Sequence, residues 1–143
     1  MARGISSDVI RHFEGIPLFE SMSKKALRSV VQAATEIDLP AGKALVREGE
    51  FTRHLYVILR GTADVTRKGK KLNELVPGDF FGEMAFLSGA PRSATVTART
   101  DLRVMVLGPR ELDVIIDREP ALARRMLAAM AHRVRATETS VTH

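Results

Sequence analysis

The chain has 143 residues, 45% of them hydrophobic, with 22 basic and 17 acidic side chains and a formal net charge of +5. That length suits one domain with a core of its own. The absence of cysteine excludes disulfide frameworks, thiolate nucleophiles and Cys-ligated zinc, and no run of about 18 apolar residues offers a membrane-spanning helix.

The N-terminus, Met1 to Asp8, has no apolar core of the kind a signal peptide carries, and the composition agrees with a cytoplasmic protein. The excess positive charge favours anionic ligands by long-range attraction. It is too small to imply nucleic acid by itself.

Residues 8–15 read as a short helix with Val9, Ile10 and Phe13 on one side. Pro17-Leu18-Phe19 follows as an apolar connector. Ser23 is placed to N-cap a helix over 24–34. The apolar residues Ala26, Leu27, Val30, Val31 and Ala34 keep helical spacing there. From Glu36 the period falls to two. Strands are predicted around Ile37 and Leu39, then at 44–47, 55–59, 63–67, 71–76, 94–98 and 103–107. Turns at Pro40-Ala41-Gly42, Glu48-Gly49-Glu50, Arg60-Gly61, Lys68-Gly69-Lys70 and Pro77-Gly78-Asp79 separate them. Short strands punctuated in this way predict a sandwich or barrel rather than βαβ units. The glycines at 42, 49, 61, 78 and 82 stand where a jelly roll turns its corners.

Pro109 is well placed to open a helix over 110–116. Asp117-Arg118-Glu119 breaks it, and Pro120 starts a longer helix to about Ala136. Leu122, Met126, Ala129, Met130 and Arg133 fall near one face of that helix. The polar tail 137–143 is expected to fray. The fold class is therefore α+β, as one domain over 1–143. Helices at 1–35 and 109–137 flank an antiparallel β jelly-roll barrel, a double-stranded β-helix, at 36–108.

The chemistry concentrates in residues 80–96. Gly82 has no Cβ and lets the backbone approach a ligand closely. Glu83 to Leu87 can make about one helical turn, whose N–H groups suit an anion. Gly89-Ala90-Pro91 ends the turn. Arg92 then heads the strand at 94–98, and its guanidinium fork can close on the same anion. A carboxylate at Glu83 would repel a simple anion. The conflict disappears if the ligand also carries a hydroxyl for Glu83 to accept from, as a phosphorylated sugar does.

Phe81-Gly82-Glu83-x-Ala85 followed by Pro91-Arg92-x-Ala94-Thr95-Val96 closely resembles the phosphate-binding cassette of cyclic nucleotide-binding domains. That family includes protein kinase A regulatory subunits, catabolite activators and cyclic nucleotide-gated channels. The glycine pattern and the helix, Pro-Leu-Phe, helix order extend the resemblance to nearly the whole chain. The resemblance implies that Glu83 binds the ribose 2′-hydroxyl and Arg92 the cyclic phosphate. Gly82, Ala85 and Ser93 contribute amides, and Met84 lies in the same binding run. Ser93 stands at the family's selectivity position. Thr there often accompanies cGMP, Ala accompanies cAMP in the kinase subunits, and Ser occurs in bacterial cAMP binders. The expected ligand is therefore cAMP rather than cGMP.

Val65 and Leu75 are candidates for a base pocket on the barrel wall, and Met126 and Met130 for a cover over the base. Plain core packing competes for all four. Arg124, Arg125 and Arg133 are further candidates to cap the base or stack on it. No cofactor and no metal site are expected. His12, His54, His132 and His143 show no ligand spacing, and no nucleotide-triphosphate loop occurs.

The reading is a non-enzymatic sensor in which ligand shifts the C-terminal helices. Its output would pass to a separate protein partner or through self-association by the last helix. A longer protein containing this chain, or a role in buffering the ligand, stays open. Two alternatives come from other classes. One is a nucleic-acid-binding regulator using Arg124, Arg125, Arg133 and Arg135, against which stands the lack of a recognition motif. The other is a cupin-like jelly-roll enzyme, which would need a metal cluster.

Overall fold

A computed structural model describes residues 13–20 and 22–141, with side chains as far as residue 132. Among the described residues, eight strands make two antiparallel four-stranded sheets. They are β1 Thr35–Leu39, β2 Ala44–Val46, β3 Leu55–Arg60, β4 Ala63–Arg67, β5 Lys70–Leu75, β6 Phe80–Phe81, β7 Thr95–Ala98 and β8 Leu102–Leu107. One sheet runs β1-β8-β3-β6 and the other β2-β7-β4-β5. The α-helices that lie wholly within the described residues are α1 Lys24–Ala33, α2 Glu83–Ser88, α3 Pro109–Arg118 and α4 Pro120–Val141.

The side-chain pattern explains the layering. In β3, Tyr56 and Ile58 face the second sheet, together with Leu102, Val104 and Val106 of β8. Leu55, Val57 and Leu59 of β3, and Met105 and Leu107 of β8, face the helices instead. The first sheet is covered on both faces, so its central strands are apolar runs. Leu27, Val30, Leu112, Leu122 and Met126 fill the helical side. Val46, Ala63, Leu75, Phe81, Val96 and Ala98 fill the space between the sheets.

Ser23 caps α1 as its sequence position predicts, its Oγ accepting from Ala26 N at 3.0 Å. Ser23→Ala should cost about 1 kcal/mol of stability, read as a lower urea midpoint with an unchanged slope. A midpoint equal to the parent's would count against the cap.

The structure corrects several boundaries. Pro17–Phe19 forms a 3₁₀ turn rather than a connector, with Leu18 and Phe19 buried. Residues 8–12 of the first predicted helix lie outside the described residues. The predicted break at Asp117-Arg118-Glu119 narrows to Glu119, because α3 continues through Arg118 and Glu119 N–H still bonds Ile115 O. The last helix passes Ala136 and reaches Val141, since no Gly or Pro interrupts it. Among the described residues, no helix is long and apolar enough to cross a membrane.

Candidate functional site

The segment from β6 to β7 is tied at both ends to β3 and the turn before it. Gly78 N donates to Ile58 O at 2.8 Å, and Ile58 N to Asp79 O at 2.9 Å. Phe81 pairs with Tyr56 and stacks on its ring at 4.8 Å and 6°. The chain then swings through Gly82, at φ 103°, into α2. A Cβ at Gly82 would stand 2.4 Å from His54 O and 2.9 Å from Arg92 Nη1. Only glycine fits this crossing, for lack of space and because of the left-handed backbone. Gly89, at φ 71°, closes α2 with its N–H on Ala85 O.

Arg92 is only 6% exposed. Sequence reasoning places it at the head of a strand; the structure puts it in the loop before β7, which begins at Thr95. Its backbone is fixed instead by the preceding turn. Arg92 N donates to Glu50 O at 2.8 Å and Gly49 N to Arg92 O at 2.9 Å. Its guanidinium donates from Nε to Thr52 Oγ1 at 3.0 Å and from Nη2 to His54 O at 2.9 Å. Its central carbon lies 5.8 Å from the Tyr56 ring centroid. Burial pushes the Arg92 pKa down from the ordinary arginine value, while Tyr56, Glu50 and Glu83 pull the other way. Tyr56 is itself pushed up by burial, against the pull of Arg92.

Glu83 opens α2 and is 1% exposed. A solvated turn residue would not be so placed, since burying a carboxylate is costly without partners. Ala85 is buried beside it, whereas the Met84 side chain faces outward. Ser93 is exposed, and its carbonyl accepts from Arg67 Nε of β4 at 2.9 Å. The structure thus brings Gly82 against the Arg92 guanidinium, at the end of α2 where Glu83 stands.

The four base-pocket candidates are not gathered into one pocket. Val65 and Leu75 belong to the core between the sheets. Met126 is fully buried in the helical core on the other side of the first sheet. It packs there among Leu112, Ile115 and Leu122. Met130 is half-buried. Arg124 is exposed and Arg125 half-buried, while the side chains of Arg133 and Arg135 lie outside the described residues. A cavity of about 830 Å³ lies elsewhere, between α1 and α3, lined among others by Ala26, Ser29, Arg110 and Val114. Among the described residues no group of three His, Cys, Asp or Glu side chains is placed to hold a metal.

Sequence reasoning missed Thr52, Arg53, His54 and Tyr56 as part of the site. Two of them act through one hydroxyl and one backbone carbonyl, which no local pattern announces. Tyr56 carried a weak signal as the chain's single tyrosine. Thr52 and His54 hold the buried Arg92 guanidinium against the glycine turn that leads into the buried Glu83. That arrangement suits a ligand with an anionic and a hydroxyl group close together.

Comparisons with known proteins identify the family. The family model for the cyclic nucleotide-binding domain matches residues 36–119. A cyclic nucleotide-gated potassium channel of Rhizobium etli is 34% identical over 119 residues, covering 81% of this chain and 33% of the channel. The crystal structure of the Thermus thermophilus catabolite activator protein matches with a TM-score of 0.81 at 27% identity, covering 88% of this chain and 62% of that one. The regulatory domain of Toxoplasma gondii PKA, co-crystallised with cAMP, matches at 0.69 and 31% identity, over 78% of this chain and 46% of that one. The chain spans about a third of the length of the curated channels it matches.

Proposed function

The chain belongs to the cyclic nucleotide-binding domain family, and from that premise we propose that it is a non-enzymatic sensor whose cassette takes cAMP in preference to cGMP. The observation that carries the reading is the buried Arg92 guanidinium, held by neutral oxygens beside Gly82. A cation so placed is matched by a singly charged phosphodiester. Arg92 takes the cyclic phosphate, supported by backbone of Gly82, Met84, Ala85 and Ser93. Glu83 accepts from the 2′-hydroxyl. The base lies toward Val65 and Leu75, with the Ser93 hydroxyl nearby.

The preference for cAMP rests on Ser93 and on the likeness to a kinase regulatory domain co-crystallised with that ligand. The output follows from packing. Phe86 of α2 shares the helical core with Leu122 and Met126 of α4. A cassette drawn toward ligand therefore changes the seat of α4, and Met126 or Met130 can then move toward the base. Ligand biases that equilibrium by its differential affinity for the two arrangements. The signal passes to a separate protein partner or to a second copy through α4.

A thermal-shift series with cAMP, cGMP and 5′-AMP tests this. Cyclic ligand at about 100 times its Kd adds roughly 2.7 kcal/mol, a rise on the order of 5–10 °C for a chain of this size. The rise should be largest for cAMP, smaller for cGMP and absent for 5′-AMP, whose phosphate is open and more highly charged. No shift with either cyclic nucleotide at millimolar concentration would overturn the reading.

A further inference from the structure

The tripeptide Thr52-Arg53-His54 touches the cassette at both ends. Thr52 Oγ1 and His54 O hold the Arg92 guanidinium, and His54 O also lies against Gly82 at the start of α2. The middle residue reaches the other end. Arg53 Nη2 donates to Phe86 O at 2.6 Å, and the guanidinium carbon lies 5.4 Å from the Phe86 ring centroid. Phe86 O is among the last four carbonyls of α2, which have no partner inside a helix. Gly89 N–H already serves Ala85 O, and Arg53 serves the next carbonyl, that of Phe86.

The ring beneath Arg53 is 4% exposed and packs in the core that holds Leu122 and Met126 of α4. Arg53 itself is exposed. Removing it opens no cavity in the core. A surface arginine ordinarily keeps its rotamer freedom, and holding it still has an entropic cost. Here a short charge-assisted bond and a cation–π contact select one conformation.

We propose that Arg53 is a positioning residue for cyclic nucleotide binding. It holds α2 in the register at which the first-turn amides face Arg92, and it links the position of α2 to α4 through Phe86. The proposal rests on the cassette reading given above. It assigns no contact between Arg53 and ligand, because the guanidinium is spent on the C-terminal end of α2.

The test is calorimetric titration with cAMP of the parent chain, Arg53→Ala and Arg53→Lys, with amide exchange at Gly89 followed in each without ligand. Arg53→Ala should bind about 10- to 100-fold more weakly, because ligand must then supply the ordering of α2 that this hydrogen bond from a charged group supplies in the parent. Its ligand-free melting point should stay within a few degrees of the parent's, and Gly89 should exchange faster. Arg53→Lys keeps a charged donor but loses the guanidinium fork, so it should recover part of the affinity. If the parent binds cAMP and Arg53→Ala binds as tightly, the positioning role is overturned and the cassette reading stands. Weaker binding with Gly89 exchange unchanged would also overturn it, since α2 would not have loosened. If the parent does not bind, both readings fall.

Discussion

Arg92→Ala should weaken cyclic nucleotide binding by roughly 30- to 3,000-fold while the two sheets stay folded. The range follows from the cost of removing one member of a buried, hydrogen-bonded charge pair, about 2–5 kcal/mol, at about 1.4 kcal/mol per tenfold. Without ligand, the Arg92 guanidinium donates to Thr52 Oγ1 and His54 O, both neutral. Its burial lowers its pKa, so the folded chain disfavours the charge it keeps there. On the proposed reading a bound phosphodiester would supply the compensation, so the gain should appear only on binding. The ligand-free variant should therefore melt within a few degrees of the parent. Arg92→Lys retains the charge but loses the fork and should fall between. Titration calorimetry of the three chains decides the matter; an Arg92→Ala variant that binds like the parent would remove the cassette from consideration.

Much of the fold was legible because its signals are local. Ser23 reads as a cap from its position before an amphipathic run, and its hydroxyl makes that bond. The run Leu55 to Leu59 reads as a buried strand, and its alternate residues enter two different cores. What local patterns could not show is the support around Arg92. Its bonds to Thr52 and His54 span 40 and 38 residues, and the acceptors are a hydroxyl and a main-chain carbonyl. No residue type marks such a carbonyl in advance. β6, of two residues, is too short for any period to register. Met126 illustrates a related limit. Its helical phase places it on a buried face, in the core with Leu112 and Leu122, yet phase alone does not say whether such a face also meets a ligand.

Gly82→Ala should damage both stability and binding, and a comparison with Gly89 separates the causes. Both residues have positive φ, 103° and 71°. An L-residue held in a left-handed conformation costs about 1–2 kcal/mol. At Gly89 that is the whole cost, because a Cβ there meets nothing within 4 Å. At Gly82 the Cβ would also lie 2.4 Å from His54 O, a main-chain atom at the start of β3, and 2.9 Å from Arg92 Nη1. A flexible side chain can yield, but His54 O is fixed by the strand that follows it. That same oxygen accepts from Arg92 Nη2. Relief of the clash must therefore move α2 away from β3 or displace the acceptor that orients the guanidinium. The combined cost should be on the order of 2–4 kcal/mol, or a fall of about 5–15 °C in Tm. Cyclic nucleotide affinity, measured below the lowered Tm, should drop at least about tenfold. Gly89→Ala should lose only about 1–2 kcal/mol and bind within a few-fold of the parent. Equal losses of stability and affinity in the two variants would mean that backbone conformation alone matters at Gly82, and that its close approach to His54 and Arg92 does not shape the site.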